Sequence, residues 1–272
     1  MNISPLPQDK FSILVLGKPC LRFVCKSVVV SSQGAADAKS CESAKWFSQV
    51  RGEGIQTAMA LAAQDNPVTL AAPFGTDRFG AHAIKALQGT GVNVTDLGPW
   101  GRDLSPKVLA LMQAMANGTW QWFHASFELW MTGTQPQRVV RELLQMARRL
   151  GLYITLDLNV GRLRKELAPP YASGQNSGFR NFLDELFTEL LPFPTWVFLR
   201  VSDARDLFGT VEPKELDLTL RSAGFLGVSA VVIPDDGVVS GDWTGKSHLR
   251  RRSSEEQMGH WIANKVKTLS GT

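Results

Sequence analysis

The stretch that decides the fold runs from Val50 to Leu97 and reads VRGEGIQTAMALAAQDNPVTLAAPFGTDRFGAHAIKALQGTGVNVTDL. Its first part predicts a helix of small residues that begins at Gly52 and Gly54, carries apolar residues at helical spacing and stops at Asn66-Pro67. The segment Val68 to Ala72 lacks polar alternation, which is typical of a strand covered on both faces. Helix followed by buried strand predicts a layered α/β architecture.

A second helix and strand complete this stretch. The turn Gly75-Thr76-Asp77-Arg78-Phe79-Gly80 places Asp77 where it can cap the following helix. Gly89 and Gly91 end that helix, and Val92, Val94 and Leu97 then alternate as a strand.

Similar patterns predict the other elements. The predicted strands are 11–16, 21–30, 107–115, 120–123, 153–159, 196–199 and 229–233, and the predicted helices are 135–150, 179–191, 214–225 and a C-terminal helix with Met258, Trp261, Ile262, Val266 and Leu269 on one stripe. Asn117-Gly118 is a two-residue hairpin signal between two of these strands. The Pro, Gly and Ser content of 163–178 predicts a loop.

Composition limits the class of protein. A chain of 272 residues with 44% apolar content can bury the core of one large α/β domain. Its apolar runs are too short for a membrane span, and residues 1–10 lack a signal-peptide core, so we expect a cytoplasmic protein with no membrane partner. The net charge of +4 and the single run Arg250-Arg251-Arg252 argue against a nucleic-acid partner.

The cysteine and histidine patterns exclude two site types. Cys20, Cys25 and Cys41 have no metal-ligand spacing and are odd in number, so reduced thiols are expected. The four histidines are scattered and form no zinc motif, so no metal ligand is assigned with certainty. His124 has no recognisable partner acid, which favours a core histidine over a general base.

The pieces G-T-D-R-F-G at 75–80 and G-V-N-V-T-D-L at 91–97 together resemble the ribokinase-like, or PfkB-type, carbohydrate kinases, and the fructokinase branch in particular. Phe123-His124-Ala125-Ser126 resembles a short strand end of fructokinase-like members. The resemblance implies a single three-layer α/β domain over 1–272, with a mostly parallel sheet. It also implies a small β lid, built from about 21–48 and 107–123.

On the sugar side, the resemblance implies binding by a glycine pair and an Asn. Here the pair is Arg51-Gly52 and the Asn position falls on Gln56. The alternative is that Gly52 and Gly54 only open a helix. The family's sugar-binding Asp aligns with Arg22, which replaces an acceptor by a donor. We expect Gly52, Gln56 and Asn159 to line one cleft, with Arg22 pointing into it or blocking it.

On the nucleotide side, Asp157-Leu158-Asn159 is similar to the family's D-P-N motif, so Asp157 and Asn159 could help to hold a phosphate-bound metal or the sugar. A plain strand-end turn is the alternative. The segment 200–209 resembles the family's N-E-x-E, which organises Mg²⁺ and the nucleotide phosphates, and Asp203 is its remaining acid. The segment 232–237 corresponds to T-x-G-x-x-G, whose backbone amides approach the nucleotide phosphates; Pro234 stands at the first glycine and Gly237 is kept.

The family's G-A-G-D motif, which supplies an anion hole and the catalytic base, does not occur in this sequence. No catalytic residue can therefore be assigned, and the C-terminal nucleotide side is expected to be incomplete. Asp235, Asp236 and Glu256 are the acids near that part of the chain.

Three functions follow from the resemblance. The first is a carbohydrate kinase homologue whose phosphoryl transfer from ATP to a sugar hydroxyl is weak or lost. The second is an active sugar kinase that uses ATP and Mg²⁺, with Asp157, Asp203 or Asp235 recruited around the metal. The third is a non-catalytic binding or scaffold protein. The expected partner is a sugar or riboside, and a homodimer through the lid is a further expectation.

Overall fold

A parallel sheet forms the centre of the computed structural model, which describes residues 11–29, 41–98, 105–159, 188–225, 227–235 and 254–270. This sheet has seven strands, which pair in the order β5-β4-β1-β6-β7-β8-β9, and every pair is parallel. These strands are β1 (Ile13–Leu16), β4 (Val68–Ala72), β5 (Val92–Asp96), β6 (Trp122–Ser126), β7 (Tyr153–Leu158), β8 (Trp196–Arg200) and β9 (Ser229–Ile233). The order reverses between β1 and β6, where open α/β sheets bind ligands.

Helices cover both faces of this sheet. One face carries α1 (Glu53–Ala62), α2 (Arg78–Leu87) and α8 (Ser254–Ser270); the other carries α3 (Pro106–Ala116), α4 (Phe127–Trp130), α5 (Thr134–Arg149), α6 (Val201–Phe208) and α7 (Pro213–Ser222). The predicted three-layer α/β fold with a mostly parallel sheet is therefore confirmed. None of the described helices is long and apolar enough to cross a membrane.

The stretch from Val50 to Leu97 folds as its sequence predicts. All five residues of β4 are buried, and β4 lies inside the sheet between β5 and β1. The Asp77 carboxylate accepts hydrogen bonds from the amides of Phe79 and Gly80, at 3.0 and 2.8 Å, and so caps α2. Local signals and tertiary packing agree here.

Close approach of α1 to β1 explains the glycines at the start of α1. Gly52 has φ of +127°, and a Cβ on it would lie 2.0 Å from the carbonyl oxygen of Lys18. A Cβ on Gly54 would lie 2.7 Å from the Cα of Gly17. Both positions are therefore restricted to glycine by the packing of the chain on itself.

The lid is an antiparallel pair of strands, β2 (Cys20–Val29) and β3 (Cys41–Arg51). The predicted strand 21–30 is confirmed as β2, and its partner β3 begins inside the predicted lid segment 21–48 and continues to Arg51. That this pair covers the candidate site stays a prediction. The prediction that 107–123 forms the second part of the lid was wrong.

Residues 107–115 belong to the helix α3 instead of a lid strand. Ser105 caps this helix with Pro106 in its first turn, and Val108, Leu111 and Met115 are buried at helical spacing. The sequence Leu-Ala-Leu-Met fits a period of two as well as 3.6, which misled the strand prediction. Asn117 follows the helix end, Gly118 turns the chain with φ of +75°, and Trp122 enters the central strand β6.

The C-terminal helix α8 is longer than the predicted stripe. Met258, Ile262 and Val266 are buried on it, and a Cβ on Gly259 would lie 2.6 Å from the Cβ of Ala60 on α1. The predicted loop 163–178, most of the predicted helix 179–191 and Gly237 lie outside the described residues.

Candidate functional site

The carboxyl ends of β6, β7 and β8 bring together side chains that are far apart in the sequence. Asp157 lies near the end of β7, with Asn159 just beyond it, and Arg200 is the last residue of β8. Asp203 follows in the first turn of α6, and Glu53 opens α1 on the opposite side of the edge.

Glu53 is the meeting point of these elements. Its carboxylate accepts hydrogen bonds from the Asn159 side-chain amide, from Arg200 Nη2 at 3.5 Å and from Ser126 Oγ at 3.4 Å. The backbone amide of Glu53 donates to Glu128 Oε2 at 3.1 Å, so a side chain from α4 satisfies the first amide of α1. The start of α1 is therefore fixed by polar contacts to three other elements.

Arg200 has three carboxylates around it. Its guanidinium lies 3.5 Å from Glu53 Oε1, 3.7 Å from Asp157 Oδ1 and 4.0 Å from Asp203 Oδ2. The four side chains Glu53, Asp157, Arg200 and Asp203, here called the arginine cluster, are all at least nine-tenths buried. Charges that leave water at this depth must compensate one another, because their desolvation costs several kcal/mol per ion.

The arginine cluster does not fit a magnesium ion. Mg²⁺ needs oxygen ligands in octahedral geometry at about 2.0–2.1 Å. In the described part of the chain, no group of three His, Cys, Asp or Glu side chains is placed to hold a metal ion. The carboxylates that a metal would need surround a guanidinium instead.

The structure brings some of the predicted sugar-side residues together. Asn159 contacts Glu53, whose neighbour in the chain is Gly52, so Asn159 and Gly52 lie at the same edge. Gln56 lies in the first turn of α1. Its backbone amide donates to the Gly52 carbonyl, and its side chain is half-buried. Arg22 is exposed on β2. Their roles in binding stay predictions.

The structure describes three of the acids predicted on the nucleotide side, Asp157, Asp203 and Asp235. Asp157 and Asp203 meet in the arginine cluster. Asp235 contacts the residue next to Asp203, because its carboxylate accepts hydrogen bonds from Ser202 Oγ at 2.6 Å and from the Ser202 backbone amide at 3.3 Å. The phosphate role of Asp157 and Asp203 stays a prediction.

Sequence analysis missed Glu53, Ser126, Glu128 and Arg200. The available signal was Arg200 itself, because a cation that directly follows the apolar run Trp196 to Leu199 needs an opposite charge if that strand end is buried. Glu53 gave a weaker signal, since acidic residues are common in the first turn of any helix.

His124 is a core residue, as its lack of a partner acid predicted. It is fully buried, and its Nδ1 lies 3.0 Å from Thr155 Oγ1, which also accepts a hydrogen bond from Trp122 Nε1 at 3.0 Å. Burial lowers the pKa of His124 to about 3, so the ring is neutral at physiological pH.

Comparison with known proteins supports the fold. No protein-family model and no curated protein matches the chain. Among solved structures, a fructokinase from Xylella fastidiosa has a TM-score of 0.60 at 15% identity, over 96% of this chain and 82% of its own. A PfkB protein from Polaromonas sp. JS666 has a TM-score of 0.57 at 15% identity, over 96% of both chains.

A third similar structure shows what one kinase of this fold binds. An aminoimidazole riboside kinase from Salmonella enterica, solved with aminoimidazole riboside and an ATP analogue, has a TM-score of 0.52 at 15% identity. The alignment covers 83% of this chain and 72% of that one. The chain therefore has the ribokinase-like fold of these carbohydrate kinases, whereas its activity has to be argued from its own residues.

Proposed function

We propose that this chain is a PfkB-type carbohydrate kinase homologue that keeps a sugar-binding cleft but has weak or lost phosphoryl transfer. The ribokinase-like fold and its structural neighbours, which are named as sugar and riboside kinases, support the class of protein. The expected ligand is accordingly a sugar or a riboside. ATP and Mg²⁺ are the cofactors only if transfer survives.

The position of Arg200 carries the proposal of weak transfer. Phosphoryl transfer depends on a metal ion and positioned donors that stabilise charge on the transferring group. Here Asp157 and Asp203, two of the three acids proposed for this task, share one buried guanidinium with Glu53. A divalent cation would have to enter beside a fixed positive charge, which is strongly unfavourable at low dielectric.

The sequence removes further parts of the transfer machinery. The sequence does not contain G-A-G-D, the motif that in the resembled family supplies the base for the sugar hydroxyl proton and a glycine-rich anion hole. Loss of the base and of charge stabilisation together lowers a rate by many powers of ten. The remaining interactions position a sugar without activating it.

A working kinase with a rearranged site is the second candidate, and one observation favours it. Glu53, Asp157 and Asp203 do converge at the carboxyl edge of the sheet, where α/β enzymes place their ligands. If Arg200 moved, these acids could recruit Mg²⁺ and ATP. A scaffold protein without a ligand is the third candidate.

A coupled assay of ADP release over a panel of hexoses and ribosides separates these candidates. We expect turnover far below the roughly 1–100 s⁻¹ of typical kinases. Asp157→Asn and Asp203→Asn control for a contaminating kinase, because contaminating activity would survive in both variants. Turnover near about 1 s⁻¹ that either substitution abolishes would replace the first candidate by the second.

Binding is tested separately from transfer. A sugar that binds only the folded chain must raise its melting temperature, with or without ATP and Mg²⁺. Gln56→Ala should weaken such a response by roughly 1–3 kcal/mol if Gln56 contacts the sugar. Equal stabilisation of variant and parent would remove Gln56 from the site, and the absence of any sugar response would favour the scaffold.

A homodimer through the lid is part of the same proposal. Phe23 on β2 is 55% exposed although its ring contacts Phe79 of α2, and this exposed part is the apolar surface that we propose a second copy covers. Light scattering coupled to size-exclusion chromatography measures the mass directly. Phe23→Ser should convert a lid dimer of about twice 29.9 kDa into a monomer, whereas a monomeric parent would contradict the dimer.

A further inference from the structure

The side chain of Glu53 connects α1 to the carboxyl ends of three strands. Its Oε1 accepts hydrogen bonds from the side-chain amide of Asn159, which follows β7, and from Arg200 Nη2, at the end of β8, at 3.5 Å. Its Oε2 accepts a hydrogen bond from Ser126 Oγ, at the end of β6, at 3.4 Å. One carboxylate therefore holds the start of α1 against the edge where the ligand cleft is proposed.

The backbone of Glu53 is held independently of this side chain. Its amide donates to Glu128 Oε2 at 3.1 Å. The preceding Gly52 is fixed by close packing, since a Cβ there would lie 2.0 Å from the Lys18 carbonyl oxygen, and its own carbonyl accepts the Gln56 amide. The Glu53 side chain, which rotates about three bonds, can therefore change partners while the start of α1 stays in place.

Arg200 does not depend on Glu53 alone. Its guanidinium also lies 3.7 Å from Asp157 Oδ1 and 4.0 Å from Asp203 Oδ2. These two aspartates belong to β7 and α6, next to Arg200, whereas Glu53 reaches over from α1. Release of Glu53 would leave the buried cation with two opposite charges beside it, which avoids the large penalty of an isolated buried ion. The Glu53 contact can thus open without isolating Arg200.

The same carboxylate engages the amide that the proposed function gives to the sugar. Asn159 is only half-buried, so a ligand can reach it, but its side-chain amide donates to Glu53 Oε1. A hydrogen bond to an ionised acceptor is about twice as strong as one between neutral groups, and a sugar hydroxyl is neutral. A sugar must therefore displace Glu53 before it can use this donor of Asn159.

We infer that Glu53 is an internal competitor of the sugar, an assignment that rests on the proposed function. While its carboxylate accepts the Asn159 hydrogen bond, this part of the cleft is closed; once the carboxylate turns to water, a hydroxyl can take its place. The apparent affinity for a ligand falls with the fraction of chains that can bind it. A contact closed in about nine-tenths of the chains lowers the apparent affinity about tenfold.

Titration calorimetry on the full chain tests this with fructose, glucose, ribose and adenosine as probes. Glu53→Ala removes the carboxylate, so we expect at least one probe to bind at least tenfold more tightly than it binds the parent, or to bind only the variant. Glu53→Gln keeps a neutral acceptor that Asn159 binds more weakly, so its gain should be smaller, at about threefold. Glu215→Ala, at an exposed glutamate in the first turn of α7, is the matched control and should bind like the parent.

A double variant connects the gain to Asn159. Asn159→Ala combined with Glu53→Ala should remove the gain, because the donor that Glu53 releases is then missing. A purely structural role of Glu53 predicts a lower melting temperature in Glu53→Ala and no gain in affinity. Glu53→Gln keeps the size of the side chain, so it gives the answer even if Glu53→Ala does not fold.

Three outcomes would overturn the inference. Equal affinity of the parent and both Glu53 variants for a sugar would exclude Glu53 as a competitor and leave the proposed function intact. Weaker binding by a variant that keeps the parent melting temperature would make Glu53 a ligand of the sugar, which also leaves the proposed function intact. If none of the four probes binds the parent or either variant, the inference and the proposed cleft fail together.

Discussion

The carboxyl ends of β6, β7 and β8 carry polar and charged side chains, whereas the amino ends of the same strands begin with Trp122, Tyr153 and Trp196. These three rings lie 5.2–5.8 Å apart between centroids, and Trp261 of α8 packs edge-on against Trp196 at 5.4 Å. We call these four residues the aromatic cluster. The aromatic cluster and the arginine cluster therefore lie at opposite ends of the same strands, and they stabilise the sheet by different interactions.

The two clusters differ in how their stability depends on partners. Aromatic rings gain from burial and contact with any well-packed neighbour. Each member of the arginine cluster instead requires the opposite charge, because a buried ion without one costs more than the pair gains. Burial of the charged side chains at the carboxyl ends therefore costs more free energy than burial of the rings at the amino ends, as expected for a ligand site.

Removal of the central cation should give the largest effect. Arg200→Met keeps similar volume but leaves Glu53, Asp157 and Asp203 clustered without Arg200, so we expect a loss of about 3–5 kcal/mol in unfolding free energy. Urea denaturation measures it. Arg205→Met, at an exposed position on α6, should change stability by less than about 0.5 kcal/mol. Equal effects of the two substitutions would show that the arginine cluster contributes little.

Acid should destabilise the protein through His124, next to the aromatic cluster. The pKa of His124 in the folded chain is about 3, below the usual 6.5. Between these pH values His124 therefore binds a proton in the unfolded chain and stays neutral in the folded chain. Stability from this source is complete above pH 6.5 and falls by about 1.4 kcal/mol per pH unit down to about pH 3. Relative to His124→Gln, the parent should lose about 2 kcal/mol between pH 7 and pH 5.

His82→Gln is the control for this titration, because His82 is exposed. Denaturation curves at several pH values should show the parent slope for His82→Gln and a shallower slope for His124→Gln. Parallel slopes in all three proteins would mean that His124 is not the titrating group.

A conservative change in the aromatic cluster should cost less and should not depend on salt. Trp122→Phe removes the hydrogen bond to Thr155 and part of the ring stack, so we expect a loss of about 1–2 kcal/mol, similar at low and high ionic strength. Denaturation in 50 mM and 500 mM salt measures both quantities. A strong salt dependence would contradict the division between the clusters.

The smallest effect is expected at a charged pair outside both clusters. Burial alone would raise the pKa of Asp96, but hydrogen bonds from Lys107 and from the Gly98 and Phe74 amides outweigh it and lower the pKa. The stabilising contribution is present above the unfolded pKa near 3.8 and is lost as pH falls through the folded value. Lys107→Met should cost about 0.2–1 kcal/mol at pH 7, since Lys107 is 42% exposed. The difference in melting temperature between the parent and Lys107→Met should shrink as the pH falls below 3.8.

Elements with one clear period could be predicted from the sequence. The Val50–Leu97 stretch has an unambiguous helix stop at Asn66-Pro67 and a capping residue, Asp77, that local chemistry alone specifies. Helix α3 was missed because its apolar residues fit two periods, although Ser105 followed by Pro106 is a local signal for a helix start.

The candidate site was harder to predict than the fold. Asp157, Asn159 and Asp203 carry motif-like signals and do lie together. Glu53 meets Arg200 only through the tertiary fold, 147 residues apart, and no local rule pairs them. Long-range charge pairing is a property of the folded sheet and cannot be read from spacing.

The lid has one more consequence, which concerns how the protein can be divided. Its two strands form an insertion within a single connection between β1 and α1, and its ends meet because Cys20 is the register partner of Arg51. Residues 20–51 could thus be excised and replaced by a short turn, without cutting any strand of the central sheet. The β2–β3 pair can therefore change in length or sequence while the central sheet keeps all its connections.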